Sequence, residues 1–408
     1  MHILIVTPYY TPDFGPSAPM FSMLAESLVS SGYKVTVLAA VPHFPSGQVS
    51  QGFRKRLWRW EVINGVRVGR AWVPSGNRAN LFHRLLTFLV FQLLVTLVGL
   101  NLQYDVLLIT NPAIETGLPF ALLGCIRRKP IIFGVWDVYP EVGMRMGLFR
   151  SRAVIRLVAF LEDFCLRRSD RIQVLGDGFV ADLEHHRIPR SKIVVIPPWV
   201  DTELIKPMPR QNSFSHEHNL DDKFVVLYAG NLGLSQGLGT VLEAARNLSD
   251  RPEILFLMVG GGADKEQLVN LAANLNNVRF LPFQPRDQLP QVLASADVSL
   301  VVLKQGIGSS SLPSKTFSIL ASSRPVLASV DKDSDAWSLV QVSKAGLCIP
   351  PEDPGALVRA VLKLSDDPTQ RTQMGQNGRA WIEKHHSSQV AATLFGNLFQ
   401  EISGKSKI

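Results

Sequence analysis

The chain is poor in cysteine, with three in 408 residues. Cys125, Cys165 and Cys348 stand far apart, and no two have the spacing of metal ligands. An odd, scattered set does not make a disulfide framework. The three read as small buried hydrophobes of a protein kept in a reducing compartment. The dinucleotide fingerprint GxGxxG is missing, which argues against nicotinamide or flavin chemistry. The net charge is +8, yet the basic residues come in short groups such as Arg54–Arg56 and Arg167–Arg168. There is no long basic arm or aromatic-basic platform, so nucleic acid is not an expected partner. The apolar run after Met1-His2 is short and has no basic segment before it, unlike a secretory signal. It reads as a buried strand. The longest apolar stretch, Leu85–Leu100, holds 16 residues. As a helix it reaches about 24 Å, short of the ~30 Å hydrocarbon core of a bilayer.

What the sequence does have is alternation of strand and helix. His2–Thr7 is a β-branched run, and a turn-rich loop, Pro8–Pro16, follows. Met20, Phe21, Leu24, Ala25 and Leu28 then recur at helical spacing, with Pro19 at the start and Gly32 at the stop. Tyr33–Ala39 is the next strand. A βαβ unit implies a parallel sheet, and such sheets bind ligands at the carboxyl ends of their strands. Gly15 therefore either lets a backbone N–H approach a phosphate or is a plain turn glycine. His43, in the Pro-rich loop after the second strand, is either an acceptor-sugar contact or a packing residue. Tyr104–Thr110 and Pro130–Val135 are further strands. The second delivers Trp136, Asp137 and Glu141 to the same edge. Two carboxylates four residues apart suit acid/base work or hydroxyl recognition. Asp137 equally suits an N-cap before a helix opened by Pro140. Lys192–Ile196 runs into Pro197-Pro198, a natural linker, which sets a first domain at 1–198.

The second half repeats the plan with more glycine. Asn212–Asp222 is polar and reads as a surface loop. The strand Phe224–Ala229 opens into Gly230–Gly239, which contains Asn231, Gly233, Gln236 and Gly237. Strand, glycine loop and helix is the layout that places a phosphate on a helix N-terminus. Ile254–Val259 leads into Gly260, Gly261 and Gly262, and Val278–Phe283 is a strand that ends where a base would be lined, at Phe283. After the strand Asp297–Leu303 comes a serine-rich loop with Ser310, Ser311 and Ser314, then Lys315 at a helix start, with Ser318 one turn in. A lysine in a first helical turn opposes the helix dipole. Such a local conflict marks a functional position. The second domain runs over 199–385, and a C-terminal helix and tail over 386–408.

Taken together and in order, PYYTPDFG (8–15), VPHFPSG (41–47), WDVYPE (136–141), YAGNLGLSQGL (228–238), VGGG (259–262) and LPSKTFSILASSRPVLA (312–328) resemble retaining glycosyltransferase family 4. Within it the chain is similar to colanic-acid-type exopolysaccharide glycosyltransferases of bacteria. The resemblance implies a GT-B architecture: two doubly wound parallel-sheet, Rossmann-like α/β domains facing a cleft, with a C-terminal helix returning to the first. It implies that the second domain binds a nucleotide diphosphate sugar, GDP- or UDP-linked. Gly15, Asn231, Gly233, Gln236, Gly237, Gly260, Gly261, Phe283, Ser310, Ser311, Ser314, Lys315 and Ser318 would make that donor site. His43 and Trp136 would stand on the acceptor side, and Asp137, Lys315 and Glu141 would carry the chemistry without a metal or other cofactor. The acceptor would be lipid-linked or an oligosaccharide. Two departures stand out. Many members have cations where this chain has Asn231 and Gln236, and two Glu residues where it has Ser310 and Ser318. Lys315 is then the main cation left for the diphosphate. Two other readings of the same residues are a non-catalytic partner in polysaccharide assembly and a nucleotide-sugar 2-epimerase.

The segment before Leu85–Leu100 carries Arg54, Lys55, Arg56, Arg59, Arg67, Arg70, Arg78 and Arg84, interleaved with Trp58, Trp60 and Trp72. Basic and Trp residues beside an apolar helix suit an anionic membrane surface. The expectation is a cytoplasmic protein held peripherally on the inner face of the plasma membrane by a helix near 81–100.

Overall fold

The computed structural model describes residues 1–408 except 14, 16, 45, 55, 77–79, 138, 141–143, 145–150, 308–312 and 405–408. The chain divides into two compact units, Met1–Pro198 with Ser388–Ile408, and Trp199–Ser387.

The first unit is built on eight strands: β1 (His2–Val6), β2 (Lys34–Ala40), β3 (Trp58–Ile63), β4 (Val66–Ala71), β5 (Val106–Thr110), β6 (Ile131–Val135), β7 (Arg171–Val174) and β8 (Ile193–Val195). Their order across the sheet is β3-β4-β2-β1-β5-β6-β7-β8. β5 and β6 are buried at every residue, as apolar runs are when helices cover both faces. Those covers are α1 (Ala18–Ser30), α2 (Leu81–Gly99), α3 (Ala113–Pro119), α4 (Arg152–Arg168) and α5 (Asp177–His185). The winding reverses direction at β1 and β5, so the switch point of this sheet lies between their carboxyl ends.

Two features depart from the sequence reading. Five of the residues assigned to a basic, Trp-bearing membrane flank, Trp58, Arg59, Trp60, Arg67 and Arg70, instead belong to a hairpin. β3 pairs antiparallel with β4, and Asn64-Gly65 makes the turn with both φ values positive, 48° and 82°. Asn-Gly is the pair that a tight hairpin turn demands. Trp58 and Trp60 pack against the core, Arg67 lies over the Trp60 ring at 4.1 Å, and Arg70 has no exposed surface. The apolar helix lies where expected, near 81–100, but is longer than the 16-residue run from which its reach was judged. α2 has 19 residues and is capped by Asn80, whose side chain accepts from the N–H of His83. By length and composition alone the window Phe82–Gly99 is long and apolar enough to cross a membrane.

The second unit has six strands, all parallel: β9 (Phe224–Asn231), β10 (Ile254–Gly261), β11 (Val278–Leu281), β12 (Val298–Val302), β13 (Val326–Ser329) and β14 (Gly346–Ile349). The order β11-β10-β9-β12-β13-β14 is the 3-2-1-4-5-6 order of a doubly wound nucleotide-binding sheet. Its helices are α6 (Ser213–Glu217), α7 (Gly239–Asn247), α8 (Lys265–Leu271), α9 (Leu289–Ala294), α10 (Lys315–Ala321), α11 (Asp335–Ser343), α12 (Pro354–Asp366) and α13 (Pro368–His385). The polar stretch 212–222 is not the plain loop expected. Asn212 caps α6 and exchanges hydrogen bonds with Ser215 in a capping box.

The last helix, α14 (Ser388–Ser403), belongs to the first unit and lies along α1. Gln389 donates to Ser31 Oγ and Gln400 to Tyr33 Oη, each at 3.0 Å. Gly396 lets the Tyr33 ring approach, and Glu401 pairs with Arg171.

Candidate functional site

In the second unit the switch point falls between β9 and β12, and both of their carboxyl ends contribute. β9 runs out into the glycine loop. The chain after β12 returns at Lys315, the first residue of α10. Lys315 is half-buried as a residue, but its ammonium lies deep, 3.7 Å from the centroid of the Tyr228 ring. Tyr228 and Gly230 are two apart on β9 and so face the same side. A Cβ on residue 230 would stand 3.2 Å from Lys315 Nζ, and Gly230 has φ +143°. Gln236 Oε1 is 3.5 Å from the same nitrogen. Among the described residues no carboxylate pairs with Lys315. Burial alone therefore pushes its amine down to about 7. Desolvation without a counter-charge has this sign for a lysine.

The glycine loop is held from below by Tyr228. Its hydroxyl, fully buried, donates to Asn231 O at 2.6 Å and lies 3.1 Å from Gln236 Oε1. The second glycine run is there for close backbone approach. A Cβ on Gly260 would meet Gly230 O at 1.9 Å. The Asn231 side chain is exposed and borders Gly233, and Gly237 ends the 3₁₀ turn Leu234–Gln236. The Phe283 ring lies against Gly261 and is 62% exposed. Ser314 precedes Lys315 without a side-chain capping bond, and Ser318 is half-buried one turn on. Ser310 and Ser311 lie outside the described residues.

The first unit brings a second set together at the carboxyl ends of β1 and β2. Asp13, missed in the sequence, is its centre. Its carboxylate accepts from the N–H groups of Gly15 (3.2 Å), His43 (3.0 Å) and Phe44 (3.2 Å). It thereby ties the loop after β1 to the loop after β2. The signal available was that Asp13 is the one charged residue of the 8–15 motif. This geometry corrects the reading of Gly15. Its N–H is committed to Asp13 rather than aimed at a phosphate, and a Cβ there would run into the Tyr9 ring at 2.2 Å. His43 is 7% exposed, stacks on Tyr9 at 5.5 Å, and has Nδ1 2.9 Å from Val41 O.

Arg70 completes this set. It donates to Glu61 Oε1 at 2.7 Å, to Tyr10 O at 3.1 Å and to Thr11 O, and stands over the Tyr10 ring. A fully buried guanidinium must be paired in this way. Trp136 leaves β6 and stacks on Phe21 at 4.7 Å, and its indole N–H donates to Gln173 at 2.8 Å. Asp137 follows at an exposed position, and desolvation by its surroundings raises its carboxyl above the usual range. Glu141 lies outside the described residues. Among the described residues no three His, Cys, Asp or Glu side chains are grouped to hold a metal ion.

The outer face of α2 is apolar. Phe82, Leu85, Leu86, Leu89, Leu93, Leu97 and Leu100 are exposed, whereas Phe91, Val95 and Thr96 are buried. On α4, Leu157 and Phe160 are exposed beside Arg152 and Arg156.

Comparison with known proteins agrees with the division of the chain into two units. Residues 17–199 match the family described as glycosyl transferase 4-like domain, and residues 210–381 match glycosyl transferases group 1. A colanic acid biosynthesis glycosyl transferase of Escherichia coli K12, WcaI, is 25% identical over 88% of this chain and 91% of its own. The glycosyltransferase WbjE of Pseudomonas aeruginosa is 28% identical over 82% of this chain and 84% of its own. Among solved structures, Anabaena HepE in complex with UDP-glucose superposes with a TM-score of 0.70 over 98% of this chain and 100% of its own, at 15% identity. Two glycosyltransferase domains in tandem, two doubly wound sheets and relatives aligned along most of their length make this chain a glycosyltransferase of GT-B fold.

Proposed function

We propose that this enzyme is a retaining, family 4 glycosyltransferase that moves a sugar from a GDP- or UDP-linked donor to a lipid-linked or oligosaccharide acceptor in exopolysaccharide, capsule or O-antigen assembly. The observation that carries the reading is Lys315: a deep cation with no carboxylate partner among the described residues, at the switch point of a nucleotide-binding sheet, beside a glycine loop. The leaving diphosphate gains negative charge as the glycosidic bond to it breaks. A fixed cation that meets that charge lowers the barrier. Asn231, Gly233, Gln236, Gly237, Ser314 and Ser318 would line the same donor site, with Gly260 and Gly261 shaping its floor and Phe283 at the rim. Asp137 and Glu141 would orient hydroxyls at the reacting centre, and His43 and Trp136 would serve the acceptor. The reading needs no metal. HepE, which binds UDP-glucose, supports a nucleotide-sugar donor, and WcaI, a colanic acid biosynthesis glycosyl transferase, supports a place in exopolysaccharide assembly.

The apolar face of α2, with Arg152 and Arg156 on α4 in the same unit, fits a peripheral seat on an anionic bilayer at the cytoplasmic side of the plasma membrane. The test of function is turnover. Incubation with a panel of nucleotide sugars and acceptor lipids, read by mass spectrometry, should yield one transferred sugar and its nucleoside diphosphate. Lys315→Ala should lower that turnover at least about ten-fold, ~1.4 kcal/mol in the barrier. Turnover unchanged in this variant removes Lys315 from the mechanism.

A further inference from the structure

We propose that Tyr228 is the positioning residue for Lys315, holding the ammonium by the face of its ring and the glycine loop by its hydroxyl. The inference rests on the reading of Lys315 as the diphosphate cation.

The geometry is specific to this side chain. Tyr228 has no exposed surface, so its ring is fixed by the β9 core. The ammonium stands over the ring at 3.7 Å, a distance at which the quadrupole of an aromatic face attracts a cation. Gly230, on the same side of β9, leaves the space through which the lysine reaches that ring. The far end of the tyrosine bonds Asn231 O and approaches Gln236 Oε1, two residues of the loop that would wrap a diphosphate. One side chain thus sets the distance between the loop and the charge. A carboxylate would hold the lysine as firmly, but it would neutralise it, and a donor would have to break that ion pair. An aromatic face holds the cation while leaving its charge for the ligand.

The experiment uses the full chain with UDP and GDP as probes, titrated calorimetrically, and turnover with the best nucleotide sugar of the panel. Tyr228→Phe keeps the ring and should bind within about three-fold of wild type. Tyr228→Leu removes the ring and should bind about ten-fold more weakly, with the larger loss in kcat. In a Lys315→Ala background Tyr228→Leu should differ no further from Tyr228→Phe, because the ring acts through the lysine and both exchanges lose the hydroxyl. If Tyr228→Leu fails to fold, phenylalanines carrying one, two and three fluorines at position 228 replace it. They keep the shape and drain the ring face, so affinity should fall stepwise. Wild-type affinity in Tyr228→Leu, an undiminished difference between it and Tyr228→Phe in the Lys315→Ala background, or no fluorine trend overturns the proposal. Wild-type binding and turnover in Lys315→Ala alone would instead overturn the role of the lysine.

Discussion

The depressed amine of Lys315 makes donor binding depend on pH in a way that can be worked out. Free, the amine titrates at about 7. A bound diphosphate favours the charged form, so the complex keeps Lys315 protonated well above that value. Above pH 7 the protein must then take up a proton as it binds. The penalty is RT ln(1 + 10^(pH − pKa)): about 0.4 kcal/mol at pH 7 and about 2.1 kcal/mol at pH 8.5, from RT near 0.59 kcal/mol. Affinity for a nucleotide sugar, whose diphosphate does not itself titrate in this range, should fall about 16-fold between the two. Calorimetry at pH 8.5 in buffers of different ionisation enthalpy should show about one proton taken up per donor bound. Lys315→Met should bind weakly at both pH values, with no proton uptake. Flat affinity and no uptake in the wild-type chain would refute the argument.

The same group bears on stability. Its folded pKa lies below its unfolded one, so the unfolded chain holds more protons between about pH 7 and 10.5, and stability should rise with pH across that window. Lys315→Met should melt higher than wild type at pH 7, and the gap should close toward pH 10.5 in scanning calorimetry. Arg70→Met takes from Glu61 its closer partner, leaving it Arg59 at 3.9 Å, and frees the carbonyls of Tyr10, Thr11 and Ala40. It should cost about 3–5 kcal/mol in denaturant unfolding of the first unit. Gly260→Ala forces a methyl onto Gly230 O and should abolish nucleotide binding, seen as loss of the thermal shift given by UDP or GDP. Leu93→Asp with Leu97→Asp, both on the exposed face of α2, should remove co-sedimentation with phosphatidylglycerol vesicles while leaving the melting temperature within a few degrees.

The sheets were legible because their strands are buried on both faces. β1, β5, β6, β9, β10 and β12 are each near-continuous apolar runs, and β1, β5, β9 and β10 run out at Pro8, Asn111, Asn231 and Gly261. The hairpin of β3 and β4 was not read, although Trp58-Arg59-Trp60-Glu61 alternates with period two and Asn64-Gly65 follows. Its charged residues drew attention to a membrane, whereas Arg70 turned out to serve the interior. A lone buried guanidinium has no sequence signature, since its partners lie 9, 30 and 60 residues away. Tyr228 was hidden for a related reason: inside an apolar strand it looks like core, and only the fold puts Lys315 over its ring. Lys315 itself was legible because it broke a local rule of helix charge.

The placement of α14 has a consequence for biosynthesis. The chain makes most of the first unit, then the whole of the second, and only afterwards the helix that lies along α1. The second unit is contiguous and can fold as soon as it emerges. The first must wait, with α1 and the Tyr33 ring that receives Phe399 uncovered, until the final helix arrives. A chain stopped short of Ser388 would hold a finished second unit behind an unfinished first one, with its sticky apolar face open to other chains.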